Sequence, residues 1–126
     1  MRFFELFRNW EDVLEHSAGT VIFSESDPAV AMYFILSGDV ELTFRGVKLG
    51  NEKKGGFIGE MAMIDSATCS VTATARDDVK LARLDRDQLK TFIDKNTEFA
   101  LHVMAVMADR LRTVDEYIST QLAQSE

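Results

Sequence analysis

A glycine followed directly by an acid, Gly59-Glu60, lies inside the run Gly55-Gly-Phe-Ile-Gly-Glu-Met-Ala-Met-Ile-Asp65. A strand-like pair, Phe57-Ile58, enters that glycine, and a short helix-capable run, Glu60–Ile64, leaves it. Glycine lets a backbone approach a ligand closely, and the N–H groups that open a helical turn attract anions. The same residues also suit a tight turn packed by Met61, Met63 and Ile64, with Glu60 placed where a helix dipole favours an acid. The other chemistry-bearing residues are scattered. Cys69 is the only cysteine, and the two histidines, His16 and His102, stand far apart, so no metal-ligand spacing is present. A redox or gas sensor built on Cys69 and a haem held by the histidines is a third-rank reading, because a lone cysteine among small residues is more often packed than reactive. No nucleophile elbow, metal pair or paired carboxylates occur at catalytic spacing, and no enzymatic function is expected.

The elements that must position Gly59 and Glu60 are mostly short strands. Residues 3–9, with Phe3, Leu6 and Phe7 at helical spacing, predict one short helix. Strands are then predicted at Val13–Leu14, Thr20–Phe23, Met32–Ser37, Val40–Phe44, Val47–Leu49, Val71–Ala75 and Val79–Leu84, with Phe57-Ile58 between them. Ala18-Gly19 and Arg45-Gly46 read as turns, residues 24–28 as an acidic loop ending at Pro28, and residues 50–56 as a polar, glycine-rich loop. So many short strands at close spacing suggest a barrel, sandwich or roll. At Asp85 the texture changes: Asp85-Arg86-Asp87-Gln88 resembles a capped helix start, and Asn96-Thr97 offers a second start with no Gly or Pro after it.

Composition restricts the partners. With 126 residues, 46% hydrophobic and 28% charged, the chain suits a single globular domain spanning 1–126. No uncharged run approaches the ~18 apolar residues of a membrane span. The charged start does not resemble a signal peptide, and a cytoplasmic location is expected. Fourteen Lys and Arg against 21 Asp and Glu leave a net charge of −7, and the densest basic cluster is Lys53-Lys54. Neither nucleic acid nor an anionic membrane is therefore an expected partner.

The long C-terminal helix carries an assembly signal. Met104, Met107, Leu111, Val114 and Ile118 step by 3, 4, 3 and 4, the spacing of a coiled-coil seam. Phe99, Val103 and Val106 form a second apolar stripe. Two such faces suit a homodimer with a seam of Met107, Leu111, Val114 and Ile118; the alternative is one amphipathic helix lying along its own domain.

Three stretches in order carry a resemblance: Met32-Tyr-Phe-Ile-Leu-Ser-Gly-Asp-Val-Glu-Leu42, Gly56–Asp65 and Ser70-Val-Thr-Ala-Thr-Ala75. Together they resemble the cyclic nucleotide-binding domain family, the type of domain found in the catabolite activator protein and in regulatory subunits of cAMP-dependent protein kinase. The resemblance covers almost the whole chain. It implies a mainly β fold, an eight-stranded β-roll over about residues 11–85, with a short N-terminal helix and C-terminal helices over about 86–124. It further implies that Phe57–Ala75 is a phosphate-binding cassette, with Gly59 and the N–H groups after it facing a cyclic phosphate, Met61 beside them, and Glu60 accepting the ribose 2′-OH.

Two positions depart from the family pattern. Where the family has Pro-Arg followed by Ser or Ala, this chain has Thr68-Cys69-Ser70, so Cys69 replaces the phosphate-pairing arginine and only the Ser70 hydroxyl remains. Where the catabolite activator contacts adenine with a Thr-Ser pair, this chain has Val114 and Asp115, with Thr113 adjacent but rotated by about 100°; these three are the candidates for base-side contact, though their types do not support adenine recognition. No helix-turn-helix pattern follows the long helix in this sequence, so a transcription-factor role would need a second polypeptide or a lost segment. The expected function is a non-enzymatic regulatory module with no bound cofactor, whose ligand is nucleotide-like (cAMP or cGMP) and held with weakened or altered affinity. The alternative is a protein–protein interaction module with a vestigial pocket and an unidentified effector protein.

Overall fold

The β-branched and aromatic runs fold as strands, and their pairing makes the frame on which the Gly59 turn is mounted. The computed structural model describes Phe7, residues 9–63 and residues 67–125. The short helix expected over 3–9 falls largely outside those residues, as do Ile64 and Asp65. In order come β1 (Val13–His16), β2 (Val21–Phe23), β3 (Ala31–Ser37), β4 (Asp39–Phe44), β5 (Val47–Lys53), β6 (Phe57–Ile58), a 3-10 turn (Glu60–Met63), β7 (Thr72–Ala75) and β8 (Val79–Asp85). Helices α1 (Arg86–Lys95) and α2 (Thr97–Ser125) follow. One compact unit extends to Lys90 and a second begins at Thr91. No helix among the described residues is long and apolar enough to cross a membrane.

The strands form two four-stranded antiparallel sheets, ordered β1-β8-β3-β6 and β2-β7-β4-β5. Strand β3 is buried on both faces, which is why its sequence reads as a nearly continuous apolar run rather than an alternating one. Phe34 points one way and stacks on Phe7 at 4.5 Å between ring centroids. Ile35 points the other way, into a cluster with Phe23, Val40, Ile58, Cys69, Ala73, Ala75, Val79 and Leu81. That cluster draws on both sheets and is the interior of the roll. No polar or charged side chain among the described residues is fully buried.

Turn chemistry sets the registers. Arg45 and Gly46 both take positive φ, 51° and 80°, between the paired residues Phe44 and Val47, the two-residue hairpin loop whose twist matches antiparallel strands. Residues 50–53, expected as loop, instead extend β5: Gly50, Asn51, Glu52 and Lys53 pair with Leu42, Glu41, Val40 and Asp39. The register slips between Leu42 and Thr43, leaving Leu49 as an extra residue on β5. A polar, glycine-containing stretch becomes strand here because a full-length neighbour, β4, satisfies its backbone groups.

The helices begin where expected. Asp85 accepts from the Gln88 N–H through Oδ1, and the Gln88 side chain accepts from the Asp85 N–H, both at 2.8 Å, a reciprocal cap for α1. At its other end the Asn96 side chain donates to the Phe92 carbonyl at 3.0 Å, and the Phe99 N–H then bonds the Asn96 carbonyl at 2.9 Å. Phe92 and Phe99 meet edge to face at 4.8 Å within the second unit. On α2, Phe99 and Val103 are buried, whereas Met104, Leu111, Val114, Tyr117, Ile118 and Leu122 are exposed. Met107 is half-buried.

Candidate functional site

Strand β3 positions the Gly59 turn. Tyr33 and Phe34 pair with Ile58 and Phe57, and the backbone of Ile35 exchanges bonds with Gly55 and Gly56 at 2.9 Å. Gly59 leaves this pairing with φ +80°, and a Cβ built on it would lie 2.8 Å from the Ala31 carbonyl oxygen. Both the backbone sign and the space therefore demand glycine. The Ala62 N–H then donates to the Gly59 carbonyl at 3.1 Å, closing the 3-10 turn. Glu60 and Met61 are half-buried on this turn, and Ala62 is buried. The helix-capable run thus forms as a tighter 3-10 turn over Glu60–Met63, held at its far end by Arg86, whose Nη1 donates to the Met63 carbonyl at 2.7 Å.

The second strip of the site returns at residues 67–70 and is clamped by the acidic loop after β2. The Cys69 N–H donates to the Asp27 carbonyl at 2.8 Å, and the Ser26 N–H donates to the Cys69 carbonyl at 3.0 Å. Ala29 bonds Ala67 at 3.1 Å, and Pro28 bridges Thr68. The loop itself is braced by Glu25, whose Oε2 accepts from the Arg45 N–H at 2.9 Å and from the Thr72 hydroxyl at 3.3 Å. Ser24 donates its N–H to Asp27 Oδ2 at 2.9 Å, so the loop is a closed turn.

Cys69 is 8% exposed and packs in the roll interior, in the same cluster as Ile58. Burial, and secondarily the Asp27 carboxylate, pushes its thiol pKa above the ordinary value. The side chain is therefore protonated at neutral pH. Ser70, one residue on, is exposed, as strand-like alternation requires. The structure thus brings Gly59, Glu60 and Met61 together on one turn and sets Cys69 in the cluster of the preceding Ile58, while Ser70 faces solvent. Thr113, Val114 and Asp115 belong to the second compact unit and are all exposed. The Thr113 hydroxyl donates to the Asp109 carbonyl at 3.0 Å, so it is engaged on its own helix. No group of three or more His, Cys, Asp or Glu able to hold a metal occurs among the described residues.

Three residues that bear on the site were not singled out from the sequence. Glu25 and Asp27 lie more than 30 positions before Glu60 and reach the site only through the pairing of the two strips. For Arg86 the sequence does hold a signal: a cation in the first turn of a helix opposes the dipole.

The profile of the family described as the cyclic nucleotide-binding domain matches residues 13–96. A cAMP-dependent protein kinase regulatory subunit of Aspergillus niger is 33% identical over 84 residues, 65% of this chain and 20% of that protein. The cyclic AMP receptor protein of Thermus thermophilus is 33% identical over 103 residues, 77% of this chain and 47% of that one. The crystal structure of the Thermus thermophilus catabolite activator protein superposes with a TM-score of 0.77 at 29% identity, covering 86% of this chain and 53% of that chain. The chain thus spans about half or less of the length of these relatives.

Proposed function

The chain belongs to the cyclic nucleotide-binding domain family, and from that membership we propose that it is a non-enzymatic regulatory module holding a nucleotide-like ligand with reduced affinity for cAMP and cGMP. The observation that carries the reduction is Cys69. It stands where the family pattern has a phosphate-pairing arginine, and its thiol is buried, protonated and influenced by the Asp27 carboxylate. A cyclic phosphate that loses one charge-assisted hydrogen bond loses roughly 1.5–3 kcal/mol, or about 10- to 200-fold in affinity. Glu60 accepts the ribose hydroxyl, the backbone of Gly59 and Met61 lies beside the sugar-phosphate, and Ser70 contributes its hydroxyl. The names of the two relatives, a kinase regulatory subunit and a cyclic AMP receptor, support the regulatory reading.

The whole of 1–126 acts as one functional module, in the cytoplasm, without nucleic acid or membrane as partner, in keeping with its net charge of −7. It acts as a homodimer through Met107, Leu111, Val114 and Ile118. Support comes from the exposure of Leu111 at 66%, Val114 at 52% and Ile118 at 48%, a stripe whose burial in a partner is favourable by the hydrophobic effect.

One observation favours a second reading, an interaction module with a vestigial pocket that serves an effector protein. Cys69 packs with Phe23, Ile35, Ile58 and Leu81, and Phe23 stacks on Tyr33 at 6.0 Å, so apolar side chains occupy the roll interior.

Thermal denaturation with cAMP and cGMP separates the readings. A ligand at 100 times its Kd stabilises by about 2.7 kcal/mol. The expected result is a shift only at high ligand concentration. A shift at low micromolar ligand would contradict the Cys69 argument, and none at any soluble concentration would favour the interaction module.

A further inference from the structure

Arg86 opens α1, where the positive end of the helix dipole makes a cation unwelcome. Helix capping does not explain it, because the reciprocal bonds of Asp85 and Gln88 already close that terminus. The half-buried side chain reaches back 23 positions, and its Nη1 donates to the Met63 carbonyl at 2.7 Å. Met63 ends the 3-10 turn that begins at Glu60. The last carbonyls of a short helix have no partner within it, and a guanidinium supplies a charge-assisted bond of fixed direction. The turn is then held at both ends. At its start Gly59 holds a positive φ with no room for a Cβ beside the Ala31 carbonyl, and at its end Met63 is held by Arg86.

We propose that Arg86 is the positioning residue of the Gly59–Met63 turn: it acts through the Met63 carbonyl to keep the backbone that carries Glu60 in its binding geometry. The consequence for ligand affinity rests on the function proposed above; the consequence for the turn does not. Arg86→Gln removes the charge and the forked donor, while Arg86→Lys keeps a cation that can still reach one carbonyl.

Hydrogen exchange and calorimetry on the full chain test this. In Arg86→Gln, amides of residues 60–63 should exchange roughly tenfold faster or more, the scale of one charge-assisted bond, while β4, β5 and β7 keep wild-type protection. Arg86→Lys should recover part of that protection. The affinity for cAMP or cGMP should fall in the same order, wild type above lysine above glutamine, with the melting temperature nearly constant. Unchanged exchange at 60–63 in Arg86→Gln overturns the proposal, as does a loss of protection spread evenly over both sheets. If wild type binds neither nucleotide, the ligand reading fails on its own and the exchange measurement still decides the role of Arg86.

Discussion

Cys69 and Asp27 are joined through their backbones, the N–H of one donating to the carbonyl of the other at 2.8 Å. The bond seats an acidic residue beside the position proposed above to stand for a phosphate-pairing arginine, and the Asp27 charge helps raise the thiol pKa. An arginine introduced there would find a counter-charge already in place. Cys69→Arg should raise affinity for cAMP and cGMP by roughly 10- to 200-fold, the scale of one charge-assisted bond. The gain should be larger at low ionic strength, because the added cation also lessens repulsion between an anionic ligand and a chain of net charge −7. Calorimetry on both proteins at two salt concentrations checks this. Tight binding by the wild type would show that the arginine is dispensable.

The thiol also makes stability depend on pH. Its folded pKa is raised above the ordinary value of 9.0, so the native state holds that proton more tightly than the unfolded chain. The contribution is fully present below the unfolded pKa and is lost as pH rises through and beyond it towards the folded value. Denaturant titrations from pH 7 to 10 should show a stability decline that is shallower in Cys69→Ala. At pH 8 the wild-type thiol should react with alkylating reagents far more slowly than in the unfolded chain.

Glu60→Gln keeps the size of the side chain and removes the charge that best accepts a ribose hydroxyl. Nucleotide binding should drop about tenfold with little movement in melting temperature, measured by calorimetry and thermal denaturation side by side. A large stability loss with unchanged binding would instead make Glu60 a residue of the turn alone.

Gly59→Ala should destabilise the fold by about 1–3 kcal/mol, since the new Cβ meets the Ala31 carbonyl and the backbone stays at positive φ. Chemical denaturation gives the value, and a change below about 0.5 kcal/mol would contradict the packing argument. Gly46→Ala is the control: it has the same sign of φ but no atom within 4 Å of the added carbon, so its cost should be smaller.

Leu111→Glu tests the seam on α2. At tens of micromolar the wild type should scatter light as a dimer, and the variant as a folded monomer, because two glutamates would face each other across the seam. A monomeric wild type at that concentration would rule out the dimer.

Local chemistry was enough to read the strands, the Arg45-Gly46 hairpin, the Asp85 cap and the Gly59-Glu60 turn. Each depends on neighbours within a few residues, through alternation, positive φ or side-chain capping. Cys69 stands out from the sequence only through the resemblance to the family pattern, which implies an arginine at that position. Its burial, and the carboxylate near it, could not. Both follow from the antiparallel pairing of the loop around Asp27 with residues 67–69, a long-range register that no local pattern specifies. Residues 50–53 read as loop from sequence for a related reason: a polar, glycine-bearing stretch becomes strand only because β4 is beside it. Arg86 is the clearest case. From sequence it is one charge in a helix start, and only the fold brings its guanidinium to the carbonyl of Met63, where a directional bond can hold the turn.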